Sequence, residues 1–135
     1  MVTASLATEA APPNKTALWV GRVLSALPVF VLFLSAFAKI KHPPEVTQQF
    51  TQKFGYPESL FVLLAVIEIA CAVLYAIPRT AVLGAILVTG YLGGAIATHV
   101  RVGDPGFSTP LALGIFVWAG LFLRETRLRA LLPLR

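Results

Sequence analysis

Residues 60–100 read LFVLLAVIEIACAVLYAIPRTAVLGAILVTGYLGGAIATHV, and this stretch decides the fold. It holds an 18-residue apolar run, Leu60–Ile77, and a 20-residue run, Ala81–Val100, with only Pro78-Arg79-Thr80 between them. A hydrocarbon core of about 30 Å takes about 20 helical residues, and about 17 still suffice. Backbone groups in lipid must be satisfied within their own segment, so both runs are helices. Three connecting residues allow only a tight turn, which makes the stretch an antiparallel hairpin of spanning helices.

Outward from the hairpin, Ala17–Ala38 is a 22-residue run interrupted by Arg22 alone, and Phe107–Leu123 is a 17-residue run without charge. Thr109-Pro110 supplies a cap and an N1 proline to the last run. Gly103-Asp104-Pro105-Gly106 is a turn cluster ahead of it. The predicted architecture is all-α: a four-helix transmembrane bundle over residues 17–123, with spans of about 17–38, 60–77, 81–100 and 107–123. Residues 1–16, rich in Ala, Pro, Thr and Ser, read as a flexible tail without signal-peptide features, and residues 124–135 as a basic tail. In the long connection after the first span, Val46, Phe50 and Phe54 share a face from which Thr47, Gln48, Thr51 and Gln52 are excluded. That pattern suits a short amphipathic helix in the interface or over the bundle, with a solvated loop as the alternative.

Composition agrees with the spans. Of 135 residues, 57% are apolar or aromatic and 13% charged, with a mean hydropathy of +0.81. Soluble domains carry about 25% charged residues, so a soluble enzyme and a disordered regulator are excluded. The net charge of +5 does not indicate nucleic acid, because the basic residues flank apolar runs rather than forming a stripe. They set an orientation instead. Lys15, Arg22, Arg79, Arg124, Arg127, Arg129 and Arg135 lie on one side, against Lys39, Lys41, Lys53 and Arg101 on the other. The positive-inside rule then places both termini in the cytoplasm of a cell-membrane protein, with Trp19 and Tyr75 near the inner boundary and Tyr56 near the outer one. Lone Cys71 excludes an internal disulfide and CxxC redox chemistry.

Glu68 stands at mid-span, where an acid costs about 2.5–3.5 kcal/mol to insert. It must stay protonated or find a cation. Arg22, about 8 Å to the cytoplasmic side of mid-span, is the candidate cation, with a hydroxyl partner as the alternative. Glu68 is accordingly the candidate catalytic acid–base, or one half of a structural clasp between spans one and two. Pro28 bends the first span, by removing a hydrogen bond to Leu24. Lys39, Glu58, His99 and Arg101 gather at the outer boundary, either as a basic rim for an anionic substrate, lipid headgroup or quinone carbonyl, or as ordinary snorkelling ends. Gly90, Gly93 and Gly94 suit close helix packing, within the chain or in a homodimer. Tyr91, Thr89 and Thr98 come within reach of Glu68 if spans two and three face each other. The candidate ligand-binding residues are therefore Arg22, Lys39, Tyr91, His99 and Arg101. His42 and His99 have no metal-ligand spacing, so no metal is expected.

The order of these features resembles the DoxX-like family of small four-helix membrane proteins. The matching elements are Arg22, Ser35-Ala36-Phe37-Ala38-Lys39, Phe54-Gly55-Tyr56-Pro57, Glu68, Gly90-Tyr91-Leu92-Gly93-Gly94-Ala95 and Thr98-His99, spread over residues 17–123. One departure is that Ala36 and Phe37 stand where members often carry glycine. The family is named after a subunit of a thiosulfate:quinone oxidoreductase. The resemblance thus implies an accessory or anchoring subunit of a membrane redox complex, with quinone as a possible cofactor. A small intramembrane enzyme or quinone/lipid-binding protein using Glu68 is the second expectation, and a proton-coupled transporter the third.

Overall fold

A computed structural model describes residues 15–131. Four helical stretches in it are long and apolar enough to cross a membrane: Lys15–Lys41, Glu58–Ala76, Pro78–Arg101 and Pro105–Arg124. Their regular helices are α1 (Lys15–Lys41), α3 (Phe61–Ala76), α4 (Ala81–Arg101) and α5 (Ser108–Arg124). The short α2 (Pro44–Gln48) lies in the long connection, and α6 (Thr126–Leu131) follows α5. The chain is a multi-pass membrane protein. Residues 1–14 of the expected tail, and 132–135 of the basic one, lie outside the described residues, while Lys15 and Thr16 already belong to α1.

Each spanning helix packs on its neighbour in sequence, and α5 closes the ring against α1. The reason is visible on α1. Its buried residues are Gly21, Ser25, Pro28, Leu32, Ala36 and Lys39, a stripe repeating every three or four positions. Trp19, Val23, Leu27, Phe30, Leu34 and Phe37 are exposed between them, as a lipid-facing surface requires.

Small residues bring the helices closest at the end carrying Lys15, Arg79 and Arg124. A Cβ on Gly84 would fall 2.2 Å from the Tyr75 backbone nitrogen, and one on Gly120 would fall 2.5 Å from Ser25 Oγ. Tyr75 is fully buried here, its hydroxyl donating to Val117 O (2.7 Å) and hydrogen-bonded to the Ser25 hydroxyl (3.0 Å). It is therefore a core residue and not part of an interfacial belt: its position near the end of α3 fits a belt, but its helix face turns inward. The glycines predicted for close packing are not the ones used within the chain. A Cβ on Gly90, Gly93 or Gly94 would meet nothing within 4 Å. The buried residues of α4 are Ala81, Gly84, Ala85, Val88, Leu92 and Thr98, and none of those three glycines is among them.

The connection from α1 to α3 holds three short helical pieces of different pitch, the last a 3-10 turn over Glu58–Leu60. No residue of α2 is buried, and a π turn over Gln49–Lys53 follows directly. What seats it is aromatic contact: Phe50 packs edge-on against Phe54 and Phe61, with centroids 5.6 and 5.5 Å apart. Gly55, at φ +79°, makes the turn back toward α3. Beyond α5, Arg129 donates to the orphan carbonyls of Phe122 (2.8 Å) and Leu123 (2.6 Å), and Leu128 is buried, so α6 folds back on the bundle.

Candidate ligand-binding cavity

The Tyr75–Ser25 hydrogen bond sets the antiparallel register of α1 and α3. Glu68 lies seven residues before Tyr75, so it is level with the residue seven after Ser25, which is Leu32. Arg22 is ten residues from that level, about 15 Å along the helix. It is exposed and its guanidinium sits over the Trp19 ring, 5.4 Å from the centroid. The candidate Arg22–Glu68 pair therefore does not form.

Lys39 takes that place. Its Nζ donates to Glu68 Oε2 at 2.8 Å and to Ser35 Oγ at 2.6 Å. The two charged side chains are 4% and 1% exposed, so the pair is shielded from water. A lysine ending a helix would ordinarily snorkel outward. Here the Cα–Cβ bond tilts toward the helix N-terminus, back over position i−4, and Ser35 stands there to receive the ammonium. Tyr91 completes the cluster from α4, donating its hydroxyl to the same Glu68 oxygen at 3.0 Å. Three helices thus meet at one carboxylate.

This cluster lines a cavity of about 680 Å³ in the half of the bundle nearest the connection. Val31, Leu32, Leu64, Leu92, Ala95 and Leu113 make most of its wall apolar. Phe50 and Phe54 of the connection cover it, and Phe54 is only 3% exposed. The cover is tied down at several points. Arg101 donates to the Phe54 carbonyl, and the Phe54 ring lies 4.8 Å from that of His99. Thr98 Oγ1 donates to Gly94 O (2.9 Å), which leaves Tyr56 as donor in its 2.7 Å hydrogen bond to the Thr98 hydroxyl. Lys53 pairs with Asp104 across 3.4 Å, and His99 Nε2 lies 3.6 Å from the same carboxylate. Asp104 lies in the turn between spans, where the Gly106 N–H foremost, then Lys53 and His99, holds its carboxyl below the ordinary range.

Of the residues anticipated for ligand contact, the fold brings Lys39, Glu68 and Tyr91 together and sets His99 on the cavity wall. Arg101 is occupied with the cover, and Arg22 is at the far end of the bundle. Glu58, expected at the same rim, is exposed and does not line this cavity. Thr89 donates to Ala85 O and accepts from Trp118 Nε1, away from Glu68. Ser35, Phe50 and Asp104 were not singled out for their part here. The spacing of Ser35 one turn before a terminal lysine was the available sign for it; Asp104 carried none beyond being a turn residue.

The family model for the DoxX-like family matches residues 23–120. The chain belongs to the DoxX-like family. The DoxX-like stretch contains the whole Ser35–Lys39–Glu68–Tyr91 cluster and its cover, and begins just after Arg22. No curated protein and no solved structure matches the chain.

Proposed function

We propose that this DoxX-like protein binds a neutral, mainly apolar molecule with a hydrogen-bonding head, a quinone or a lipid of that kind, and that Glu68 exchanges a proton with the head. The observation that carries this reading is the buried Lys39–Glu68–Tyr91 cluster on the wall of a large, mainly apolar cavity. Its volume lies within the roughly 300–1,000 Å³ of small-molecule sites, which combine apolar walls with a few placed polar groups. The head is neutral because Lys39 already has a counter-charge: an anion would have to displace Glu68 and leave a carboxylate unpaired in a low dielectric. A carbonyl oxygen accepts from Lys39 or Tyr91, while a hydroxyl donates to Glu68.

An anchoring subunit needs no such cavity. A transporter needs access from both faces, whereas Tyr75, Ser25 and Val117 fill the other end of the bundle. Ligand binding is therefore favoured over both, although a quinone-binding subunit of a redox complex would use the same site. The basic residues support a cell-membrane orientation with both termini cytoplasmic and the cavity in the outer half.

Native mass spectrometry of protein released from mild detergent tests the reading. A quinone or neutral lipid should stay bound to the wild type. Glu68→Gln keeps an acceptor for Lys39 and Tyr91 but not the counter-charge; the fraction of it that stays folded should lose the ligand at least tenfold. Wild-type protein that takes up neither native lipid nor added decylubiquinone contradicts the proposal.

A further inference from the structure

Three ways into the cavity are conceivable, of which one is filled and one is partly covered. Toward the connection, Phe54 and Phe50 cover it, held by Arg101 on the Phe54 carbonyl, by Tyr56 on Thr98 and by Lys53 on Asp104. Lys53, Asp104, His99 and Arg101 there are engaged with each other or with backbone, while Gln49 and Lys53 stay exposed where they line the cavity. At the opposite end, Tyr75 is bonded to both α1 and α5, and Gly84 lies against the Tyr75 backbone.

The side wall differs. Gly90 and Gly94 line the cavity, yet both are exposed and lie off the packed face of α4. A side chain added at either would meet nothing within 4 Å. Gly90 and Gly94 repeat at helical spacing from the exposed Leu83, Ile86 and Leu87, so the same two backbone positions line the cavity and border the lipid-facing side of α4. Resting on the ligand-binding reading above, we infer that the cavity opens sideways into the bilayer over Gly90 and Gly94, and that its ligand is a neutral molecule bearing a chain, which lies across these glycines while the head meets Lys39, Glu68 and Tyr91. The ligand is thus drawn from the membrane and not from water. Glycine suits such a passage because the chain passes directly over backbone, and no side chain need move.

Gly93 provides an internal control: it is exposed on the same helix and equally open, but it does not line the cavity. Binding of decylubiquinone and of tail-free duroquinone is measured for wild type, Gly90→Leu, Gly94→Leu and Gly93→Leu in mild detergent. Wild type should bind both. Gly90→Leu and Gly94→Leu should weaken decylubiquinone at least tenfold and change duroquinone by less than twofold. Gly93→Leu should change neither. If the leucine variants do not accumulate, the double variant Gly90→Ala/Gly94→Ala should show the same selective loss at smaller amplitude. Equal loss of both quinones, or unchanged decylubiquinone binding, overturns the sideways opening while leaving the binding reading intact. Failure of wild type to bind either one removes the binding reading and this inference together.

Discussion

Lys39 reaches Glu68 by turning back along its own helix, its Nζ 2.8 Å from Oε2 with Ser35 beneath it. The pair joins α1 to α3 at the depth where Tyr91 of α4 also arrives, so structure and candidate chemistry share one carboxylate.

Removing one partner of such a pair leaves an uncompensated buried charge, at a cost of about 3–5 kcal/mol. Lys39→Met and Glu68→Leu should each destabilise by that order in detergent unfolding. The double variant should recover most of the loss, because replacing both charges leaves none stranded. A double variant as unstable as the two losses added would show that the residues act separately.

The two buried tyrosines should separate by role. Tyr75→Phe removes the donor to Val117 O and the hydroxyl that meets Ser25 Oγ, so stability should fall by about 1 kcal/mol with ligand retention unchanged. Tyr91→Phe should cost no more than the roughly 0.6 kcal/mol typical of membrane hydrogen bonds, but should reduce ligand retention. Unfolding and native mass spectrometry on the same samples read both quantities, and the reverse pattern would exchange the assignments.

Glycines on the two halves of α4 should respond oppositely to alanine. Gly84→Ala places a methyl where the Tyr75 backbone already lies, so the α3–α4 hairpin must part, costing about 3 kcal/mol, the upper end for overpacking. Gly93→Ala meets open space and should stabilise slightly, by up to about 1 kcal/mol, because it restricts the unfolded chain. Equal tolerance at both sites would rule out the close approach at Gly84.

The turn between α4 and α5 should loosen in acid. Folding lowers the Asp104 pKa, chiefly through the Gly106 N–H, so its stabilising contribution is complete above the ordinary carboxylate pKa and disappears as pH falls through the lower, folded value. Carbon NMR of the Asp104 carboxyl should give a midpoint below the usual aspartate value of about 3.9. Lys53→Ala should raise it. A wild-type midpoint at or above the usual value would contradict the arrangement.

Hydropathy and punctuation carried the architecture far. Four spans, the hairpin turn at Pro78–Thr80 and the burial of Glu68 follow from run length and from what lipid excludes. Tyr91 was legible as a possible partner because spans two and three had to be adjacent. The connection was less so: its apolar spacing suggested one helix face, whereas a π turn changes the pitch midway and Phe54 is buried by His99, 45 residues further along the chain.

Run length is a one-dimensional property, and the cost of exposing backbone or charge to lipid acts on each segment separately. Membrane class follows from 57% apolar and 13% charged residues, and span number and the one mid-span acid from the length and placement of the apolar runs. Which cation answers Glu68 depends on helix register and on the direction in which a side chain leaves its helix. The Tyr75–Ser25 contact and the backward reach of Lys39 supply these, and they set Arg22 aside. The cavity is likewise a property of how four helices pack, tight at Gly84 and Gly120 and open beside Gly90 and Gly94, and no single segment encodes it.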